Sequence, residues 1–203
     1  QKERGNSNCI LGRLLWKLSE KIPVGLVSAD GGLADNAIPR QTKAVVVVEE
    51  KDAESLEQQV AALAAELGDE LATKDPDVKV TAKRLADTAE TITCAAPEAT
   101  KRVAAFLQAT PNGVQAMSAD MPGLVQTSLN LGILKADAEV LRAEYSVRSS
   151  VESEKDNLIA KLSALVELTG GDYVVTGDYP GWKYRVHSPL REKMVKLYAE
   201  MYG

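Results

Sequence analysis

The residues able to do chemistry collect in four places. The first is the loop Gly31-Gly32-Leu33-Ala34-Asp35-Asn36-Ala37-Ile38-Pro39-Arg40, set between the apolar runs Leu26–Ala29 and Ala44–Val48. Two glycines open backbone angles closed to other residues, and Pro39 fixes φ. Asp30, Asp35 and Asn36 bring oxygen ligands together. Their spacing lacks the alternate carboxylates and terminal glutamate of a calcium loop, so no metal is assigned. The second place is Arg148, late in a strand and followed by two serines. A guanidinium there can hold a carboxylate by two parallel hydrogen bonds, or pair at the surface with Glu144 or Glu152; residue types leave both open. The third is Gly177-Asp178-Tyr179-Pro180-Gly181-Trp182, which reads as a rigid turn anchored by two rings, with a small polar and aromatic site as the other reading. The fourth is His187, the one histidine. It reads as an exposed linker residue, and no acid is spaced to complete a Ser/His/Asp set.

Other chemistries lack their residues. Gly31-Gly32 has no downstream lysine for a phosphate loop. A zinc site built from this chain alone would lack the usual imidazoles. Cys9 and Cys94 form no C-x-x-C pair and have no neighbouring histidine, so they read as free structural thiols of a reducing compartment.

These residues need a scaffold, and hydrophobic periodicity supplies one. Asn6, Ser7 or Asn8 caps a helix with the face Ile10, Leu14, Leu15, Leu18. Strands follow at Val24–Asp30 and Thr42–Glu50. A helix capped by Asp52 carries Leu56, Val60, Leu63, Leu67 and Leu71 on one face. Val78, Val80 and Ala82 alternate with polar residues as a third strand. Asp87–Ala96 is a connector, and Pro97 opens a helix with Val103, Phe106 and Leu107 inward. Val114–Gly123 reads as irregular. Val125, Thr127, Leu129, Leu131 and Ile133 share one strand face. Leu141, Ala143, Tyr145 and Val147 share another, opposite Val140, Arg142, Glu144, Ser146 and Arg148. Ser150 caps a helix ended by Gly170-Gly171, and Tyr173–Thr176 is a strand. Ser188-Pro189 starts a last helix with the face Leu190, Met194, Leu197, Met201.

The pattern predicts an α+β fold. Two ferredoxin-like α-β-β-α-β repeats form a largely antiparallel sheet with helices on one face. Residues 1–86 and 87–177 are the two halves, and 178–203 is a linker and a helix that returns to a domain outside the chain. The start, Gln1-Lys2-Glu3-Arg4-Gly5, and the helical end at Gly203 read as cuts through a longer protein. A net charge of −5 over 203 residues argues against nucleic acid as the main partner. No apolar run is long enough to span a bilayer, and no signal-peptide pattern opens the chain.

Four motifs carry a resemblance: Asn36-Ala37-Ile38-Pro39-Arg40, Thr127-Ser128-Leu129-Asn130-Leu131-Gly132, Val147-Arg148-Ser149-Ser150 and Gly177-Asp178-Tyr179-Pro180-Gly181-Trp182. In this order they resemble the aminoacyl-histidine dipeptidases, bacterial di-zinc metallopeptidases also called Xaa-His dipeptidases or carnosinase-like enzymes. Glu3–Asn8 is similar to the stretch after that family's Gly-Gly-His-Ser-Gly segment. The resemblance implies a lid and dimerisation domain inserted into a catalytic domain that holds two zinc ions. The zinc ligands, the catalytic glutamate and a lid histidine would lie outside this chain; His187 does not match that histidine. The fragment alone would have no catalytic residues, no metal and no activity. Asn36 matches the lid asparagine that contacts substrate, and Arg148 the arginine that holds the substrate's terminal carboxylate. The resemblance also implies a cytoplasmic homodimer acting on Xaa-His-type dipeptides. The other reading is a free-standing binding or oligomerisation module with no enzyme attached.

Overall fold

A computed structural model describes residues 4–85, 91–182, 185 and 187–203. Helix α1, Ser7–Ser19, starts at Asn6, whose side-chain oxygen accepts from the amides of Asn8 (3.0 Å) and Cys9 (3.2 Å). Strands β1 (Gly25–Gly31) and β2 (Thr42–Val47) form a hairpin across the glycine loop. Helix α2, Ala53–Glu70, buries Val60, Leu63 and Leu67, the face expected from its three-and-four spacing. Asp52 stands at its start without a side-chain capping bond. Helix α3, Pro97–Ala109, opens on its proline and buries Thr100, Ala104, Phe106 and Leu107. Strands β3 (Gly113–Met117), β4 (Val125–Ala136) and β5 (Leu141–Ser149) precede helix α4, Glu152–Thr169. Gly170 ends α4 at φ 75°, a left-handed turn that glycine enters without a Cβ penalty. Helix α5, Pro189–Tyr202, is capped by Ser188 and buries no residue.

Among the described residues five strands form one sheet, all pairs antiparallel, with β4 at the centre. Strand β5 runs along one edge of β4 from Thr127 opposite Ser149 to Ala136 opposite Leu141. The other edge is shared. β3 takes its first half, with Gly113 opposite Leu129, and β1 takes its end, with Gly31 opposite Leu134. Strand β2 lies beyond β1. The helices pack side by side in the order α2, α1, α3, α4. Phe106, Leu107, Leu131 and Leu134 meet between the helices and the sheet, joined by Leu141, Ala143 and Tyr145 from β5. Leu18, Ile22 and Val24 form a second cluster with Val46, Val48 and Leu56.

The antiparallel α+β sheet with its helical layer is as the periodicity predicts, but its strands are not all the expected ones. Val78–Lys83 and Tyr173–Thr176 are irregular and mostly exposed. A short stretch becomes a strand only with a partner ladder, and neither has one among the described residues. Gly113–Met117, read as irregular, is β3; Val114 and Met117 stay exposed there, so burial imposed no alternation on it. The expected break between halves at 86 and 87, and Asp87–Glu90 of the connector, lie outside the described residues. A bulge between Leu131 and Ile133 also corrects the expected face of β4. Leu134 takes the core position, and Ile133 is half-buried. Ser150 does not cap α4: Val151 stands at its start without a side-chain capping bond, and the Val151 amide donates to Ser149 Oγ at 3.0 Å.

Candidate functional site

The glycine loop is held at its base by the start of α1. Ser7 Oγ donates to the Pro39 carbonyl at 3.1 Å, and Thr42 Oγ1 donates to Asn8 Oδ1 at 2.6 Å. Asn8, fully buried, is so close to Gly31 that a Cβ there would collide with its amide oxygen. Gly32 has φ +85°, and its missing side chain makes room for the Gly132 carbonyl. A side chain on Gly132 would in turn strike the Asp35 backbone. The loop therefore lies directly on the β4 backbone. Further out it hangs from one side chain. Asn130 Nδ2 donates to the carbonyls of Asp35 (3.0 Å) and Ala37 (2.8 Å), the two residues flanking Asn36. Asn36 itself is exposed at the tip.

Arg148 stands on the same sheet face as Asn130. Leu129 and Leu131 of β4 point into the core, so Ser128 and Asn130 point away from it. Arg148 pairs with Ser128, and Ser146 pairs with Asn130. Arg148 and Asn130 are thus diagonal neighbours, about 7–8 Å apart at Cα. The Arg148 side chain is exposed, and among the described residues it has no ion pair or hydrogen bond. The surface pair with Glu144 or Glu152 does not form. Glu152 is engaged instead by Lys155 at 2.7 Å and by the Gly181 amide at 2.8 Å. Those two contacts, the lysine first, hold its carboxyl below the usual range.

The strand end that carries Arg148 is tied down on its inner side. Thr127 Oγ1 lies 2.9 Å from Ser149 Oγ and donates to Glu154, whose other oxygen accepts from Gln126 at 3.0 Å. These bonds, Thr127 first, lower the Glu154 pKa. Lys155, with its side chain 8% exposed, reaches Asp178 at 2.7 Å and the Tyr179 carbonyl at 2.9 Å. Asp178 and Glu152 raise the lysine's pKa, Asp178 the more. The turn at 177–181 is therefore fixed to α4 by its aspartate. The expected anchoring by two rings is wrong, since Tyr179 is 68% and Trp182 90% exposed.

The remaining candidates separate. Asp30 pairs with Lys135 at 2.6 Å. Among the described residues, no group of three or more His, Cys, Asp or Glu is placed to hold a metal. His187 is exposed. Cys9 and Cys94 are free, and burial pushes the Cys9 thiol up to about 12. Sequence reasoning missed Asn130 as the loop's support, and used Asn6 and Asn8 only as helix caps. An asparagine in the middle of a twelve-residue strand is the available signal, because asparagine is depleted in strands unless its amide has work to do.

No family model matches the chain. It is 29% identical over 199 residues to the cytosol non-specific dipeptidase of Escherichia coli (strain K12), covering 98% of this chain and 40% of that protein. The crystal structure of aminoacylhistidine dipeptidase from Vibrio alginolyticus superposes with a TM-score of 0.88 at 29% identity, over 100% of this chain and 41% of that one. The expected resemblance to these dipeptidases holds in both sequence and fold. The chain is a homologue of these dipeptidases and corresponds to about two fifths of their length.

Proposed function

We propose that this chain is the lid and dimerisation part of a cytoplasmic dipeptidase, with Arg148 receiving the free carboxylate of a dipeptide and Asn36 contacting the same substrate. The observation that carries the reading is an unpaired guanidinium on an open sheet face, diagonal to the residue that holds the Asn36 loop. A dipeptide's carboxylate lies one residue from the scissile bond, so a fork that grips it also sets the bond's position. Arginine suits this better than lysine, because its planar fork meets both carboxylate oxygens. Closing this face over bound substrate would shed water around the pair and strengthen it.

The resemblance implies two zinc ions in the whole enzyme, which would polarise the peptide carbonyl and activate water. In this reading their ligands belong to the rest of the protein, and the chain alone is inactive. The division at 86/87 and the role of 178–203 as a return to the catalytic part belong to the same proposal. The apolar face of α5, with Leu190 at 72% and Met194 at 59% exposure, fits that role. Homodimerisation is proposed on the outer edges of β2 and β5, which have no strand partner among the described residues. The "cytosol" in the E. coli relative's name supports a cytoplasmic location; no helix among the described residues is long and apolar enough to cross a membrane.

The test is Arg148→Ala in the full-length protein. Hydrogen bonds to a charged group contribute about 1.5–3 kcal/mol, so KM for dipeptides should rise roughly 10- to 150-fold at ~1.4 kcal/mol per decade. Arg148→Lys should recover only part of that loss. A dipeptide amide, which has no carboxylate, should be hydrolysed equally by wild type and mutant. Unchanged dipeptide kinetics in Arg148→Ala would remove Arg148 from the site.

A further inference from the structure

We infer that Asn130, aligned by Asn6, is a positioning residue that sets the place of Asn36; this rests on the proposed role of Asn36 at the substrate. Between β3, which leaves β4 at Leu129, and β1, which joins it at Leu134, the shared edge of β4 has no strand partner among the described residues. Side-chain amides fill the gap. The Leu131 amide donates to Asn112 Oδ1 at 2.9 Å, and its carbonyl accepts from Asn6 Nδ2 at 3.0 Å and Asn8 Nδ2 at 3.3 Å. Three asparagines thus replace a strand, and the opening they keep is where the Asn36 loop settles.

Asn130 sits beside this gap with its amide direction fixed. Asn6 Nδ2 donates to Asn130 Oδ1 at 3.2 Å, so the Asn130 nitrogen faces the loop. Both of its N–H groups are then used, one on each side of Asn36. Asn6 is anchored in turn, because its own oxygen caps α1. The line from α1 through Asn6 and Asn130 to the loop has no free rotor at its middle. A spacer alone would not need this polarity. Aspartate has the same shape as asparagine but no N–H, and would set carboxylate oxygens against two carbonyls.

The experiment compares Asn130→Asp, Asn130→Ala, Asn36→Ala and the Asn36→Ala/Asn130→Ala double variant in the full-length protein. Dipeptide kinetics are read together with amide hydrogen exchange of residues 33–40. Both Asn130 variants should lower kcat/KM by the factor that Asn36→Ala produces, on the order of tenfold, mainly through KM. The double variant should be no worse than Asn36→Ala alone, since the support matters only through what it supports. Exchange should quicken in residues 33–40 and stay unchanged in α2 and α4. A space-filling role predicts that aspartate is tolerated. Normal kinetics in Asn130→Asp, or a double variant that adds the two losses, overturns the inference while leaving Asn36 at the substrate. Silent Asn36→Ala and Arg148→Ala variants would instead overturn the reading of the site, and the inference with it. If Asn130→Asp does not fold, Asn130→Ser, which keeps one donor, should give a smaller loss than alanine; equal kinetics in wild type and Asn130→Ser then count against the inference.

Discussion

Gly12, in the middle of α1, sets two physical effects against each other. Alanine is the better helix former by about 1 kcal/mol. Propensity alone therefore predicts that Gly12→Ala stabilises the chain. The packing predicts the reverse. A Cβ on Gly12 would stand 2.6 Å from Leu107 Cβ, 3.4 Å from the Leu107 carbonyl carbon and 3.6 Å from its Cα. Carbon atoms in contact rest about 3.5–4.0 Å apart, so α1 and α3 must separate by roughly 1 Å at their crossing. Leu107 cannot swing away, because the clash is at its Cβ, which is fixed by the α3 backbone. Overpacking of this kind costs about 1–3 kcal/mol. A gap of that size also forfeits about a quarter to a half of each contact's attraction around it. The clash and the opened gap outweigh the propensity gain by about 1–2 kcal/mol. For a chain of this size that lowers Tm by roughly 2–8 °C.

The assay is thermal and urea unfolding by far-UV circular dichroism, with Gly68→Ala measured beside it. Gly68 lies in α2, and a Cβ there meets nothing within 4 Å. It gains the same propensity without the clash, so it should stabilise by about 0.5–1 kcal/mol. Opposite signs for two glycine-to-alanine changes in neighbouring helices are the expected result. A Gly12→Ala variant as stable as Gly68→Ala would refute the close crossing of α1 and α3. It would also weaken the case that α1 is held firmly enough to aim Asn6 and Asn8 at the sheet.

Two further outcomes follow from charge and burial. Arg13 holds Glu70 with both nitrogens at 2.8 Å, and Lys17 and Arg13 hold Glu66, tying α1 to α2. Lys17 lowers the Glu66 pKa and Arg13 that of Glu70, each first through a hydrogen bond. Their contribution is therefore present above the ordinary carboxylate value of 4.5 and is lost as pH falls below it. Glu66→Gln/Glu70→Gln should flatten the acid limb of a Tm-against-pH curve and leave its slope above pH 7 unchanged; an unaltered acid limb counts against the clamp. Cys9, its thiol pushed up to about 12 by burial, should resist iodoacetamide at pH 8 in the folded chain and react in urea. Labelling at the unfolded rate, read by peptide mass, would place it at the surface.

Much of this architecture is legible in the sequence because burial writes a period. Leu63 and Leu67 announce the inner face of α2, and Ala143 and Tyr145 that of β5, so the side on which Arg148 stands is legible in the alternation alone. Capping also reads well where one residue suffices, as at Ser188. What periodicity cannot show is whether a stretch finds a partner. Val78–Lys83 alternates as strands do and Tyr173–Thr176 is rich in β-branched residues, but neither lies against an open ladder, whereas Gly113–Met117 lacks the alternation and is a strand because β4 offers it an edge.

The loop's support illustrates the same limit at the level of chemistry. Asn36 and Arg148 stand out because the resemblance matches each of them to a residue at the substrate. Asn130 does not, because its work is done on backbone carbonyls about 95 residues away in sequence. Its meaning depends on a bulge at Gly132 that turns Ile133 out and Leu134 in, and on a gap that opens only after β1 and β3 have taken the two ends of one edge. Each feature taken singly looks like a defect: an asparagine in a strand, a glycine in a core ladder, a break in strand pairing. Together they leave a cleft in the sheet edge, beside which Asn130 holds the loop by two carbonyls. If the loop's place is what this fold protects, Gly132→Ala should quicken exchange of residues 33–40 as Asn130→Ala does, although the two changes share no hydrogen bond. Different exchange patterns in those two variants would mean that the cleft and the amide act separately.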